Sequence, residues 1–155
     1  MKDYILEWDQ LDLRVRGSQV QEILVARVRE KRLPLSDLRL KFLDGELRVS
    51  AKIKKGVAVP IKLTVRNIAV SGKTVRITLE DVATFGVLPI PKLLFQIIGN
   101  RRLPPGFTFD PKTLTLGVQW ERFVPRFLDI TIETIEIIRG GVALHLGKGG
   151  ACVTP

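Results

Sequence analysis

The sequence predicts an α+β domain built on an antiparallel meander sheet, with one amphipathic helix and a second, apolar helix. The spacing of apolar residues changes from a helical period after residue 18 to an alternating period after residue 34. Turn signals at Asp44-Gly45 and Ser71-Gly72 separate the alternating runs. The chain has 155 residues, of which 45% are hydrophobic. This is enough apolar material for one core without disulfides or metals.

The amphipathic helix is predicted over residues 18–32. Ser18 is expected to be its N-cap, with Gln21 three positions later as in a capping box. Pro34 closes the segment because proline cannot continue a helix. The apolar residues that share one side of this helix are Val20, Ile23, Leu24, Ala26 and Val28.

Four antiparallel strands follow the helix in meander order. Their inward residues alternate with polar ones and are Leu38, Leu40, Phe42, Leu47, Val49, Ala51, Ile53, Ile61, Leu63, Val65, Val75, Ile77 and Leu79. The alternation slips by one residue near Asn67, where Ile68 and Val70 take over the apolar positions. Such a slip marks a bulge or a strong bend, so the sheet is expected to curl.

The second helix is predicted between Pro89 and Ile98, where the chain is apolar on nearly every side. Gly99-Asn100 ends it in the manner of a helix C-cap. Further alternating runs between residues 114 and 146 predict additional strands. Residues 1–147 are interpreted as a single domain, and residues 148–155 as a flexible glycine-rich tail.

The inventory of reactive side chains argues against an enzyme. There is one histidine, one cysteine and one tyrosine, so catalytic residues, a metal site and a cofactor are not expected. His145 lies between two leucines of a predicted strand and is interpreted as a solvent-facing or hydrogen-bonded side chain. Ser71 to Thr74 resembles the end of a phosphate-binding loop but is interpreted as a hairpin turn, because a strand follows it.

The net charge of +9 is concentrated in one region. Residues 26–76 contain 14 Lys and Arg against 4 Asp and Glu. Such a region suits phosphates, whether on nucleic acid or on anionic lipid head groups. Nucleic acid is the less favoured partner because the only aromatic residue in this region, Phe42, belongs to the apolar face and cannot stack on bases.

The start of the chain does not have the hydropathy of a signal peptide, and no run of 18 apolar residues occurs. The sequence therefore predicts a cytoplasmic protein, which is compatible with peripheral association with a membrane.

The order of these elements resembles the LmeA-like phospholipid-binding family of the tubular lipid-binding (TULIP) superfamily. The likeness extends over about residues 15–145 and rests on the helix, the Asp-Gly hairpin, two longer strands, the segment GVLPIP, the apolar helix and LPPG. It implies a highly curved antiparallel sheet wrapped around a helix, leaving an elongated groove for acyl chains. The function it implies is non-enzymatic binding or transfer of a phospholipid or another acyl-chain lipid.

Candidate binding residues follow from the pattern and from this resemblance. Those expected to line the apolar groove are Ile23, Leu24, Val28, Leu63, Val65, Ile77, Leu94, Phe95 and Ile98. Those expected to meet lipid head groups or an anionic membrane surface are Lys52, Lys54, Lys55 and Lys62. Each apolar residue has the alternative of an ordinary core position, and each lysine that of a solvated strand position.

Two other functions remain open at this point. One is a protein interaction or scaffold module that associates, for example as a homodimer, through the apolar helix or a free sheet edge. The other is nucleic-acid binding through the basic sheet face, which predicts a steep loss of affinity with salt.

Overall fold

A computed structural model describes residues 3–55, 57–84 and 105–153. Within these ranges the chain is mostly antiparallel sheet with one α-helix, which confirms the α+β class. The strands are β1 (Tyr4–Trp8), β2 (Leu11–Arg16), β3 (Leu35–Leu43), β4 (Glu46–Lys55), β5 (Val57–Ser71), β6 (Thr74–Thr84), β7 (Phe107–Asp110), β8 (Thr115–Gln119), β9 (Leu128–Asp129), β10 (Ile132–Ile138), β11 (Gly141–Leu146) and β12 (Gly149–Cys152). The α-helix α1 spans Gly17–Glu30, and a 3-10 helix spans Trp120–Phe123. The predicted second helix lies outside the described residues.

The largest sheet has the strand order β3-β4-β5-β6-β8-β7, and its first four strands form the predicted meander. Both predicted hairpins are confirmed, with Gly45 and Gly72 at positive φ between the strands they connect. The slip near Asn67 is confirmed as a bulge, because the pairing register of β5 and β6 shifts between Val65 and Ile68. Ile68 therefore lies opposite Ile77.

Two smaller sheets have the orders β10-β11-β2 and β1-β12-β9. The first packs against the Asp44-Gly45 end of the meander, where the Gly45 N–H donates to the Ile137 carbonyl at 2.9 Å. Helix α1 enters at the same junction. Gly17 is required there because a Cβ would overlap the ring of Phe42.

The helix prediction is confirmed in position, but the predicted cap is wrong. The N-cap residue is Arg16, which makes no side-chain capping bond, and Ser18 is the second helical residue. The C-terminal end is a Schellman motif. The Leu33 N–H donates to the Val28 carbonyl and the Arg32 N–H to the Arg29 carbonyl, while Arg32 adopts the left-handed φ of 49° that this motif demands.

The prediction of a flexible tail from residue 148 is wrong for the part that the structure describes. Gly149–Cys152 form β12, which pairs with β1 on one side and β9 on the other. Gly149 and Gly150 are buried, and neither has room for a Cβ, since Asp129 and Trp8 crowd the first and Leu6 and Tyr4 the second. These glycines allow close approach of strands and aromatic rings rather than mobility.

Candidate functional site

Alternation of apolar and polar residues between the bulges of the meander gives the six-stranded sheet two chemically different faces. The apolar face carries two groups of buried residues, and register pairs such as Val49 with Leu63 and Leu47 with Val65 place their side chains on the same side. The first group is Phe42 and Val65 with Ile137 of β10, and the second is Ala51, Ile53 and Ile61. Ile53 is completely buried.

Three predicted groove residues lie together on this apolar face. Val65 is buried, whereas Leu63 and Ile77 are half-buried and pack against the group around Phe42. The apolar residues that likewise stay half-buried on this face are Leu40, Leu47, Val49, Ile68, Leu79, Leu116 and Val118. Among the described residues, many apolar side chains of this face therefore keep part of their surface accessible.

Helix α1 lies along the edge strand β3 and contributes a partly open apolar stripe. Val20 packs against the same group of residues, and Val28 is half-buried. Leu24 and Ile23 are exposed, with 40% and 59% of their surfaces accessible. Of the predicted groove residues, Leu94, Phe95 and Ile98 lie outside the described part of the chain.

The opposite, basic face of the sheet brings together three of the predicted head-group lysines. Lys52 and Lys54 alternate along β4, and Lys62 of β5 lies opposite Ser50 of β4, which points to the same side. Lys52 forms an ion pair with Asp37 at 3.2 Å. Lys55 is the last residue of β4.

Three further cations on this face, Arg39, Lys41 and Arg48, were not among the residues predicted from the sequence. A pocket of about 710 Å³ lies beside the lysines, and four basic side chains from three strands line it together with Gln21 of α1. We call this the basic pocket, and its charged lining residues are Arg39, Lys41, Arg48, Lys62 and Asp81. The Asp44-Gly45 turn contained the signal, because a two-residue turn there places Lys41 opposite Arg48, as the register confirms.

Arg66 organises the acidic groups near the basic pocket. Its guanidinium forms ion pairs with Glu80 at 2.9 Å, Asp81 at 2.7 Å and Glu46 at 3.4 Å. These carboxylates, led by the hydrogen bond to Glu80, raise the pKa of Arg66 above its ordinary value. Arg66 therefore remains charged, and it holds Asp81 at the pocket margin.

His145 is hydrogen-bonded, in agreement with its sequence interpretation. Its Nδ1 lies 2.7 Å from Asp12 Oδ1, and its Nε2 lies 3.5 Å from Glu136 Oε2. The bond to Asp12, followed by the bond to Glu136, raises the pKa of the imidazole. A similar arrangement occurs in the sheet that holds the C-terminal strand, where the Tyr4 hydroxyl donates to Asp129 and this bond raises the pKa of Tyr4 to about 12.

The part of the chain that the structure describes contains neither a metal-binding cluster nor a membrane-spanning helix. No cluster of three or more His, Cys, Asp or Glu side chains there is arranged to hold a metal ion. None of the helical segments there combines the length and the apolar character needed to cross a membrane.

Comparison with known proteins returned no match to a protein-family description, to a curated protein or to a solved structure.

Proposed function

We propose that this protein binds an acyl-chain lipid without catalysing a reaction, with the apolar face of the six-stranded sheet and the stripe of α1 as the binding surface. The observation that carries the proposal is the incomplete coverage of that face. Leu63 and Ile77 remain half-buried, and Leu24 of α1, the helix that packs along β3, is 40% exposed. Large aliphatic side chains that stay partly in water on the sheet and on the helix packed against its edge favour an apolar ligand.

The finer features of the proposal come from the family resemblance. They are a sheet curved around a helix, a contribution of Leu94, Phe95 and Ile98 to the groove, and transfer of a phospholipid between membranes. The energetics are sufficient for such a ligand. Burying an acyl chain yields about 0.8 kcal/mol per methylene, or roughly 12 kcal/mol for 16 carbons before ordering costs.

We propose that the basic face attracts the protein to the anionic surface of the donor membrane. Lys52, Lys54 and Lys62 project from one side of the sheet, and each cation near an anionic surface adds about 1 kcal/mol. We include Lys55 in this role from its place in the sequence. Peripheral association with anionic membranes is therefore part of the proposal.

The first test is native mass spectrometry of the purified protein followed by organic extraction. Lipid present in a fixed molar ratio supports the proposal. Protein without lipid is then titrated with a fluorescent acyl probe, such as a pyrene-labelled fatty acid. Absence of both co-purified lipid and saturable probe binding refutes it.

A matched pair of variants locates the binding surface. Leu24 and Leu13 are almost equally accessible, at 40% and 41%, but Leu13 lies on β2, which belongs to a different sheet from the proposed binding face. Leu24→Gln should weaken probe binding at least threefold, whereas Leu13→Gln should change it less than 1.5-fold, because about 1 kcal/mol of apolar contact is lost only in the first. Equal effects of the two substitutions would place the ligand elsewhere.

A second candidate function is self-association through the sheet that carries the chain ends. β1 is an edge strand there, and large apolar side chains are exposed on the three strands of this sheet or next to them in the sequence. They are Ile5, Leu6, Phe127 and Val153. Sedimentation equilibrium decides between the candidates, since a dimer that dissociates on Leu6→Lys would favour association, and a monomer at all concentrations would exclude it.

A further inference from the structure

We propose that the basic pocket is a binding site for a small anion carrying a phosphate monoester or pyrophosphate group. The site lies on the face of the sheet opposite the proposed acyl-chain surface. It therefore stands independently of the proposed function, and lipid extraction does not test it.

The strand register forces the cations of the pocket together. Lys41 of β3 lies directly opposite Arg48 of β4, and Arg39 lies opposite Ser50, which in turn lies opposite Lys62 of β5. Like charges directly opposite each other destabilise an antiparallel pair. A sheet that carries such a pair gains from an anion that binds between the two charges.

Nearby carboxylates leave part of this charge unneutralised. Glu46 accepts a hydrogen bond from Arg48 at 2.6 Å, and Asp81 is engaged by Arg66. Among the described residues, no carboxylate lies within 4.0 Å of the charged ends of Arg39 and Lys41. These two side chains are available to an external anion.

The chemistry and size of the pocket select phosphate over a single carboxylate. Arg39 and Lys41, which have no carboxylate within 4.0 Å among the described residues, together favour an anion with two charges. Arg39 supplies a guanidinium, which can donate two parallel hydrogen bonds to a phosphate, and Ser50 supplies a hydroxyl donor. The volume of about 710 Å³ lies within the usual range for small-molecule sites, so a phosphate on a small organic group would fit.

The test compares two probes at about 0.15 M salt, where screening suppresses distant surface charge. Inorganic pyrophosphate, titrated by calorimetry, represents a free anion. Phosphatidylcholine vesicles containing phosphatidate, compared with vesicles lacking it, represent a lipid head group. The variant is Arg39→Gln with Lys41→Gln.

The matched control is Arg14→Gln with Arg16→Gln. Like Arg39 and Lys41, these residues are exposed and lie two apart on an edge strand, and their double substitution removes the same amount of charge. The single variant Lys41→Gln checks folding. Because it removes an opposed pair of like charges, it should weaken binding without lowering the urea midpoint.

The expected result is saturable binding of at least one probe, weakened tenfold or more by the pocket variant and less than twofold by the control. If pyrophosphate shows this pattern, the ligand class includes soluble phosphates; if only phosphatidate vesicles show it, the source is a membrane head group. Equal loss in both double variants would assign binding to the net charge of +9 and overturn the proposal. Absence of binding to either probe would also overturn it.

Discussion

Replacing Gly149 by alanine should detach the C-terminal strand from the sheet formed by β1, β12 and β9. A Cβ at this position would overlap the backbone carbonyl oxygen of Asp129 and would lie 3.1 Å from Trp8 Nε1. Backbone cannot rotate away as a long side chain can, so relief requires β12 to move from β9. Overpacking costs about 1–3 kcal/mol, and each ladder hydrogen bond lost adds about 0.5–1.5 kcal/mol.

We therefore expect Gly149→Ala to lower the free energy of unfolding by about 2–4 kcal/mol. Urea titration followed by tryptophan fluorescence measures this, and carboxypeptidase digestion reports local release of the strand. Lys148→Ala is the control, because Lys148 is exposed and surface substitutions change stability by less than about 0.5 kcal/mol. Equal urea midpoints and equal digestion rates in the wild type and both variants would show that residues 149–152 are not held in the sheet.

Three further predictions concern the core, the histidine and the end of the helix. Ile53→Ala should destabilise the protein by about 2–5 kcal/mol in urea titration, because Ile53 is completely buried; a loss below about 1 kcal/mol would contradict its place in the core. The pKa of His145 is raised in the folded state, so its contribution to stability is complete below the unfolded pKa of about 6.5 and is lost as pH rises through the folded value. His145→Gln should therefore cost stability at about pH 5.5 and little at about pH 9 in paired urea titrations, and a difference that does not change with pH would exclude this linkage. Arg32→Gly should raise the free energy of unfolding by up to about 1 kcal/mol, because Arg32 has a φ of 49°; a lower urea midpoint would show that the arginine side chain contributes more than its backbone costs.

The meander could be predicted from sequence because its determinants are local. Asp44-Gly45 and Ser71-Gly72 lie between alternating runs, and each supplies the glycine that its turn requires at positive φ. The strand β2 could have been predicted from the same kind of alternation, although it was not. Leu11, Leu13 and Val15 alternate with charged residues in the segment that forms β2.

Two further bulges, in β3 and β6, lie outside the alternating runs that were recognised in the sequence. The register shifts in β3 and in β6 occur at Asp37 and Asp81, both at positive φ. Aspartate tolerates the left-handed conformation better than most residues, and each of these side chains also pairs with a cation, Lys52 and Arg66 respectively. The inward residues predicted from the sequence begin at Leu38 and end at Leu79, so they stop one or two residues short of these bulges.

Other features depend on contacts between distant parts of the chain. Gly149 and Gly150 look mobile in isolation, and only the approach of β1, from the opposite end of the chain, shows why they lack side chains. The basic pocket also depends on contacts between segments that are distant in the sequence. Hairpin register predicts that Lys41 meets Arg48, but the presence of Gln21 from α1 and Asp81 from β6 depends on tertiary packing.

The bulge near Asn67 explains how one strand can serve two opposite faces along its whole length. Side chains alternate, so Lys62 belongs to the basic face while its neighbour Leu63 belongs to the apolar one. Continued without interruption, the alternation would place Ile68 on the basic side. The extra residue between Val65 and Ile68 reverses the phase and sets Ile68 opposite Ile77 on the apolar side. Separation of the proposed acyl surface from the proposed anion site therefore depends on the bulge, which absorbs the extra residue. In a chain without Asn67 the alternation would run unbroken from Val65 to Val70, so Ile68 would stay on the apolar side without a bulge.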